Sequence, residues 1–143
     1  LMPNLLTSPA YVLDQLMTPA EFDTRRRSLG LSIGEVAALV GVSEKTINNW
    51  TRGQTAIPAD VVAALGALED AMAEAVENVV EIATDMTDEG PLVLWRYRTP
   101  DDQARSHHAS SLPLGAHAMM IGWAADALEA EGVTCVIEWA DQA

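Results

Sequence analysis

Residues 31–53 read LSIGEVAALVGVSEKTINNWTRG and hold two short helices with a tight corner between them. Ser32 followed by Glu35 has capping-box spacing, in which the serine hydroxyl and the glutamate carboxylate each satisfy a backbone N–H left unpaired at a helix start. Ile33, Val36, Ala37 and Val40 repeat at helical spacing and supply an apolar face, and Gly41 ends the helix. Only Val42 separates that end from Ser43, the N-cap of a second helix running from Glu44 to about Arg52, with Gly53 as its terminating glycine. Two helices joined this closely form a corner that delivers the second at a fixed angle.

On a wheel of about 100° per residue, Ile47 and Trp50 share the inward side of that second helix. Lys45, Asn48, Asn49 and Arg52 fall on the opposite side, and every one of them donates hydrogen bonds. Asparagine pairs in two-pronged fashion with adenine N6 and N7, and lysine reaches guanine O6 and N7, so this face suits the floor of a DNA major groove. Glu44 stands at its edge. As an acceptor it either reads a cytosine amino group or serves the helix dipole. Ser32, Thr46, Thr51 and Thr55 are phosphate donors by type, and caps or turn residues by position. A merely solvated polar face is the competing account of the helix. Amide and cation groups without an aliphatic interruption favour nucleic-acid contact.

Upstream, Thr18, Pro19 and Glu21 open a helix that runs to about Ser28 before Gly30. Its Arg25, Arg26 and Arg27 point in three directions, so one or two reach a phosphate strand, Arg26 being the candidate, and the others are solvated or paired with Glu21 or Asp23. Downstream, Pro58 starts a helix extending to about Asp85, roughly 40 Å long at 1.5 Å per residue. Val61, Leu65, Leu68, Met72, Ala75, Val79, Ile82 and Met86 alternate by fours and threes along it, the pattern of a coiled-coil-like seam. That seam packs either against a second copy or within its own chain. Residues 88–91 then form a turn. Leu92 to Tyr97 reads as a strand with Val93, Trp95 and Tyr97 on one side, followed by a short helix from Thr99 that fades by Ser110 and Ser111. Leu114 to Glu131 is an apolar helix closed by Gly132, and Val133 to Trp139 is a second strand paired with the first.

The expected fold is mainly α with a small α+β lobe at the C-terminus. Residues 1–17 form an arm, 18–57 a helix-turn-helix bundle, 58–87 a long acidic connecting helix, and 88–143 a β-α-α-β dimerisation region. Leu68, Met72, Val79, Trp95, Met120 and Trp123 are the candidate dimer contacts. The chain opens on Leu1, so the natural start is Met2 or Met17.

Net charge is −13, the wrong sign for a nucleic-acid binder, but its distribution is uneven. Residues 18–53 carry five bases against four acids, whereas residues 54–91 carry nine acids and no Lys or Arg. One quarter of the chain is thus fit to face phosphate while the acidic part points away. No apolar run approaches the ~18 residues of a membrane span, and no secretory signal opens the chain. The single cysteine, Cys135, makes no internal disulfide and sits among apolar neighbours as a buried thiol, which points to a cytoplasmic protein.

Residues 31–53 closely resemble the Cro/C1-type, or XRE, helix-turn-helix family, with Ala37, Gly41, Val42, Ser43, Ile47 and Gly53 on its framework positions. The resemblance implies a major-groove helix and base-reading roles for Lys45, Asn48, Asn49 and Glu44. One departure is Ile33, where many members carry glutamine, so a contact made from the start of the second helix is absent or replaced. Residues 50–61, WTRGQTAIPADV, with the long helix and mixed C-terminal lobe that follow, resemble the anti-CRISPR-associated regulators and their YdiL-like relatives. That likeness implies a dimeric autorepressor on an inverted repeat, its half-sites one helical turn apart.

His107, His108 and His117 lack a zinc-binding spacing, and no metal or cofactor is expected. Asp101 and Asp102 occupy a helix first turn, where acids serve the dipole rather than catalysis. With no phosphate loop or activated nucleophile, the chain does not read as an enzyme. A different class of function competes: an antitoxin or interaction module whose acidic helix and C-terminal lobe hold a basic partner.

Overall fold

The computed structural model describes residues 17–86, 90–106 and 110–142; residues 1–16 of the N-terminal arm, residues 88 and 89 of the expected turn, and His107 and His108 lie outside them. Helices α1 (Pro19–Ser28), α2 (Ile33–Val40) and α3 (Glu44–Thr51) are followed by the long α4 (Ala59–Asp85). Then come β1 (Leu92–Arg96), α5 (Pro100–Arg105), α6 (Leu114–Ala130), β2 (Cys135–Trp139) and a 3-10 turn at Ala140–Gln142.

Each boundary of the first three helices has a local cause. Thr18 Oγ1 accepts the Glu21 amide at 3.0 Å, and Ser43 Oγ accepts that of Thr46 at 3.2 Å. Ser32 and Glu35 form the reciprocal capping box, with Ser32 Oγ taking the Glu35 amide and Glu35 Oε1 taking the Ser32 amide. Gly30, Gly41 and Gly53 all have φ of 75°, a left-handed backbone that a side chain would strain. Pro58 stands one place before α4 as its N-cap, rather than inside its first turn, and makes no side-chain capping bond.

One hydrophobic core runs from Met17 to Leu128. Phe22 meets Trp50 edge-on, ring centres 5.7 Å apart and planes at 85°. Val36, Ile47 and Leu65 are fully buried beside them, so the first turns of α4 complete the three-helix corner. Burial of each such side chain is worth about 1.5 to 3 kcal/mol. Farther along, α4 and α6 pack against each other over the chain's largest helix contact. Leu68, Met72 and Met120, expected at a dimer seam, are buried inside this single chain instead, because α6 lies over the first half of that seam. The second half is more open. Val79 is half-buried, and Ile82 and Met86 are 63% and 46% exposed.

The two strands pair in parallel, Leu92 opposite Cys135 through Arg96 opposite Trp139. A connection carrying two helices allows this direction, which a tight hairpin forbids. In β1 the buried residue is Leu94, while Val93 and Trp95 are half-buried on the alternate face; α6 is the helix that packs on the sheet. Cys135 is half-buried, and β2 exposes Val136 and Ile137. No helix of the described residues is long and apolar enough to cross a membrane.

Candidate nucleic-acid interface

The α3 surface divides sharply. Ile47 and Trp50 are 0% and 3% exposed and anchor the helix to α1 and α2. Glu44, Lys45, Asn48 and Arg52 are exposed, and Asn49 is half-buried between the two sides. Among the described residues, no part of the C-terminal half covers this face. Its amides and cations present donors to solvent on a helix fixed from behind, which is the geometry direct base reading requires.

The flanks are less uniform. Arg52 forms the C-cap of α3, its backbone N–H donating to Asn48 O at 3.0 Å while its side chain extends into solvent. Thr55 is exposed and lines a small hollow with Met17, Pro19, Gly53 and Gln54, so the loop after α3 and the start of α1 meet there. The start of α1 and the loop after α3 therefore share one edge of the domain. Ser32 is exposed, with its hydroxyl already accepting the Glu35 amide. Thr46 is half-buried and shares a hydrogen bond of 3.0 Å with the Ser43 hydroxyl. Thr51 is turned inward on the helix, its Oγ1 donating to Ile47 O at 3.1 Å.

Arg26 differs from its expectation. It is 8% exposed, donating from Nη1 to Leu31 O at 2.7 Å and from Nη2 to Asp23 at 3.1 Å. Its guanidinium ties the end of α1 to the start of the next turn, which removes it from the phosphate-facing set. Arg27 also binds Asp23, at 2.8 Å, and Arg25 bridges to Glu69 of α4 at 3.1 Å. Arg27 foremost, then Arg26, hold the Asp23 carboxyl below its ordinary range. Ile33 is half-buried and packed against the core, so α2 sends no side chain outward from that position.

Two polar contacts escaped the sequence reading because they form only once the chain has folded back. Gln103, 6% exposed, donates from Nε2 to Ser110 O and Leu112 O and closes the loop after α5. Glu35 accepts, besides its capping bond, the amide of Gly115, eighty residues away. Neither carries a local signal beyond its residue type. His117 is 6% exposed, its ring centre 5.0 Å from that of Tyr97; burial, then the charge of Arg96, lowers its pKa. No group of three His, Cys, Asp or Glu side chains among the described residues is placed to hold a metal ion.

Residues 24–67 match a family model described as helix-turn-helix, which runs from the second half of α1 through α2 and α3 into the first turns of α4. This supports the Cro/C1-type assignment of the segment, and with it a DNA-binding regulatory role for the domain. No match to a curated protein is found.

Proposed function

We propose that the protein is a dimeric transcriptional repressor that recognises an inverted repeat in double-stranded DNA, with α3 in the major groove of each half-site. The observation that carries this reading is the two-sidedness of α3, its Ile47 and Trp50 sealed inward and its Lys45, Asn48 and Arg52 exposed. Lys45, Asn48 and Asn49 read bases, with Glu44 at the edge of the set. Arg52 and Thr55 hold the phosphate backbone, together with the hydroxyls of Ser32 and Thr46. Dimerisation falls to the C-terminal half, where Val79, Trp95 and Trp123 are half-buried and Ile82, Val136 and Ile137 are exposed. The resemblance of residues 50–61 and the order of elements after them to anti-CRISPR-associated and YdiL-like regulators is the ground for self-repression as the biological role.

Selection of bound fragments from a randomised duplex library tests the reading, and a palindromic consensus is the expected result. Asn48→Ala should then weaken the selected site by ~1 to 3 kcal/mol and leave random duplex unaffected. An equal loss on both duplexes removes Asn48 from base reading, and selection of no consensus overturns sequence-specific recognition.

A further inference from the structure

We infer that Glu35 is a positioning residue that fixes the angle between the DNA-reading helices and the C-terminal half, and through that angle sets the half-site spacing the dimer accepts. The inference about spacing rests on the dimeric reading above. The inference about the angle rests on the chain alone.

Glu35 uses its two carboxylate oxygens for two different jobs. Oε1 accepts the Ser32 amide at 3.1 Å and completes the capping box of α2, while Oε2 accepts the Gly115 amide at 2.8 Å in the first turn of α6. Those two helix starts are pressed together beside it. A Cβ built on Gly115 would collide with the carbonyl oxygen of Gly30, and one built on Gly30 would collide with that of Gly115. Gly115 has no left-handed backbone to explain a glycine, so close approach is its reason. Toward its other end α2 leaves a groove between itself and the C-terminal half, bordered by Ala38, Leu39, Ala104 and Leu112, with Leu39 38% exposed. It is therefore the first turn of α2 that α6 holds. Because α3 packs directly on α2, a rotation at this contact moves the whole reading face.

Glutamine separates the two jobs. A carboxylate offers two acceptor oxygens, whereas the carboxamide offers one, its nitrogen meeting an N–H with another donor. Glu35→Gln keeps the capping bond or the Gly115 bond, never both. Gly115→Ala keeps both capping residues and wedges the two segments apart, its methyl meeting Gly30 O and, at 2.7 Å, Glu35 Oε1.

Residual dipolar couplings of backbone amides in the full-length protein test the angle. In the wild type, couplings from α1 to α3 and from α6 should fit one alignment tensor. In Glu35→Gln and in Gly115→Ala, each still folded by its amide spectrum, the two sets should need different tensors. One shared tensor in both variants overturns the inference, whatever the DNA shows.

The selected palindromic duplex, with its spacer lengthened or shortened by one base pair, then tests the consequence. The wild type should lose affinity by about tenfold or more per step, and the variants by less than about threefold. Separate tensors with an unchanged spacer preference would sink the link to spacing. A wild type that selects no symmetric duplex would count against the repressor reading and the spacing role together, while the couplings still decide the angle.

Discussion

Arg26 and Arg52 show how two arginines of the same domain divide by what surrounds them. Arg26 is buried, and its Nη1 bond to Leu31 O is made inside the protein. Truncation leaves that buried carbonyl without a donor, a loss that costs on the order of 1 to 3 kcal/mol, and takes from the partly exposed Asp23 one of its two cations. Arg26→Ala should therefore lower the urea midpoint by an amount equivalent to ~2 to 3 kcal/mol. An unchanged midpoint would return Arg26 to the surface. Arg52→Ala removes an exposed side chain and should leave the midpoint within about 0.5 kcal/mol. Its effect belongs to DNA, where the logarithmic dependence of affinity on salt should become shallower by ~1. His117 makes a third case. Burial first, then Arg96, holds its pKa below the 6.5 of a free histidine, so the folded state prefers the neutral ring. The unfolded chain then binds more protons than the folded one between those two values. Stability is complete above pH 6.5, falls as the pH drops from there toward the depressed folded value, and is level below it. A thermal-melt series from pH 7.5 to 5 should show this slope, flattened in His117→Gln; an equal slope in both would place its cause elsewhere.

Element α3 is a short helix whose ends are set by Ser43 and Gly53, and eight residues are too few to hold a helix without help. Removal of the cap in Ser43→Ala should cost about 1 kcal/mol, read as a lower melting point and faster amide exchange at Thr46. Exchange at Thr46 unchanged from the wild type would show that the cap is redundant. These ends were legible in the sequence because their causes are local: a hydroxyl three residues before an amide, or a glycine at positive φ. The inward turn of Ile47 and Trp50 was equally legible, since 3.6-residue periodicity fixes which side chains share a face. The apolar row on α4 was not, because Leu68 and Met72 look the same whether α6 or a second copy covers them. Within the lobe, alternation identified both strands but neither their parallel direction nor the burial of Leu94, which depends on where α6 crosses the sheet. Arg26 misled for a related reason: three consecutive arginines differ only in which carbonyl lies within reach, and Leu31 O comes into reach only after the turn at Gly30 has formed.

At the scale of the whole molecule, a net charge of −13 must coexist with a helix-turn-helix domain. Along α4 the exposed acids Asp60, Asp70, Glu74, Glu77, Glu81 and Asp85 have no Lys or Arg on their own helix, and among the described residues the cross-helix ion pair of that region joins Arg25 to Glu69. Like charges at this density repel through water over about a Debye length, ~10 Å at 0.1 M salt, and the repulsion acts against the compact state. Added monovalent salt screens it. Raising NaCl from 50 to 300 mM should therefore raise the melting temperature, by about 3 to 5 °C if ~1 kcal/mol of repulsion is removed from a chain this size. The same salt should weaken DNA binding steeply, since each phosphate contact releases counterions and contributes about −0.9 to the logarithmic slope. Stability and affinity should thus move in opposite directions along one salt axis, the first following the acids of α4 and the second, on the proposed reading, Lys45 and Arg52. A melting temperature that falls over that range would mean that cations already neutralise the acidic face in the assembled protein. The screening account would then be wrong, and a basic surface packed on α4 would be required.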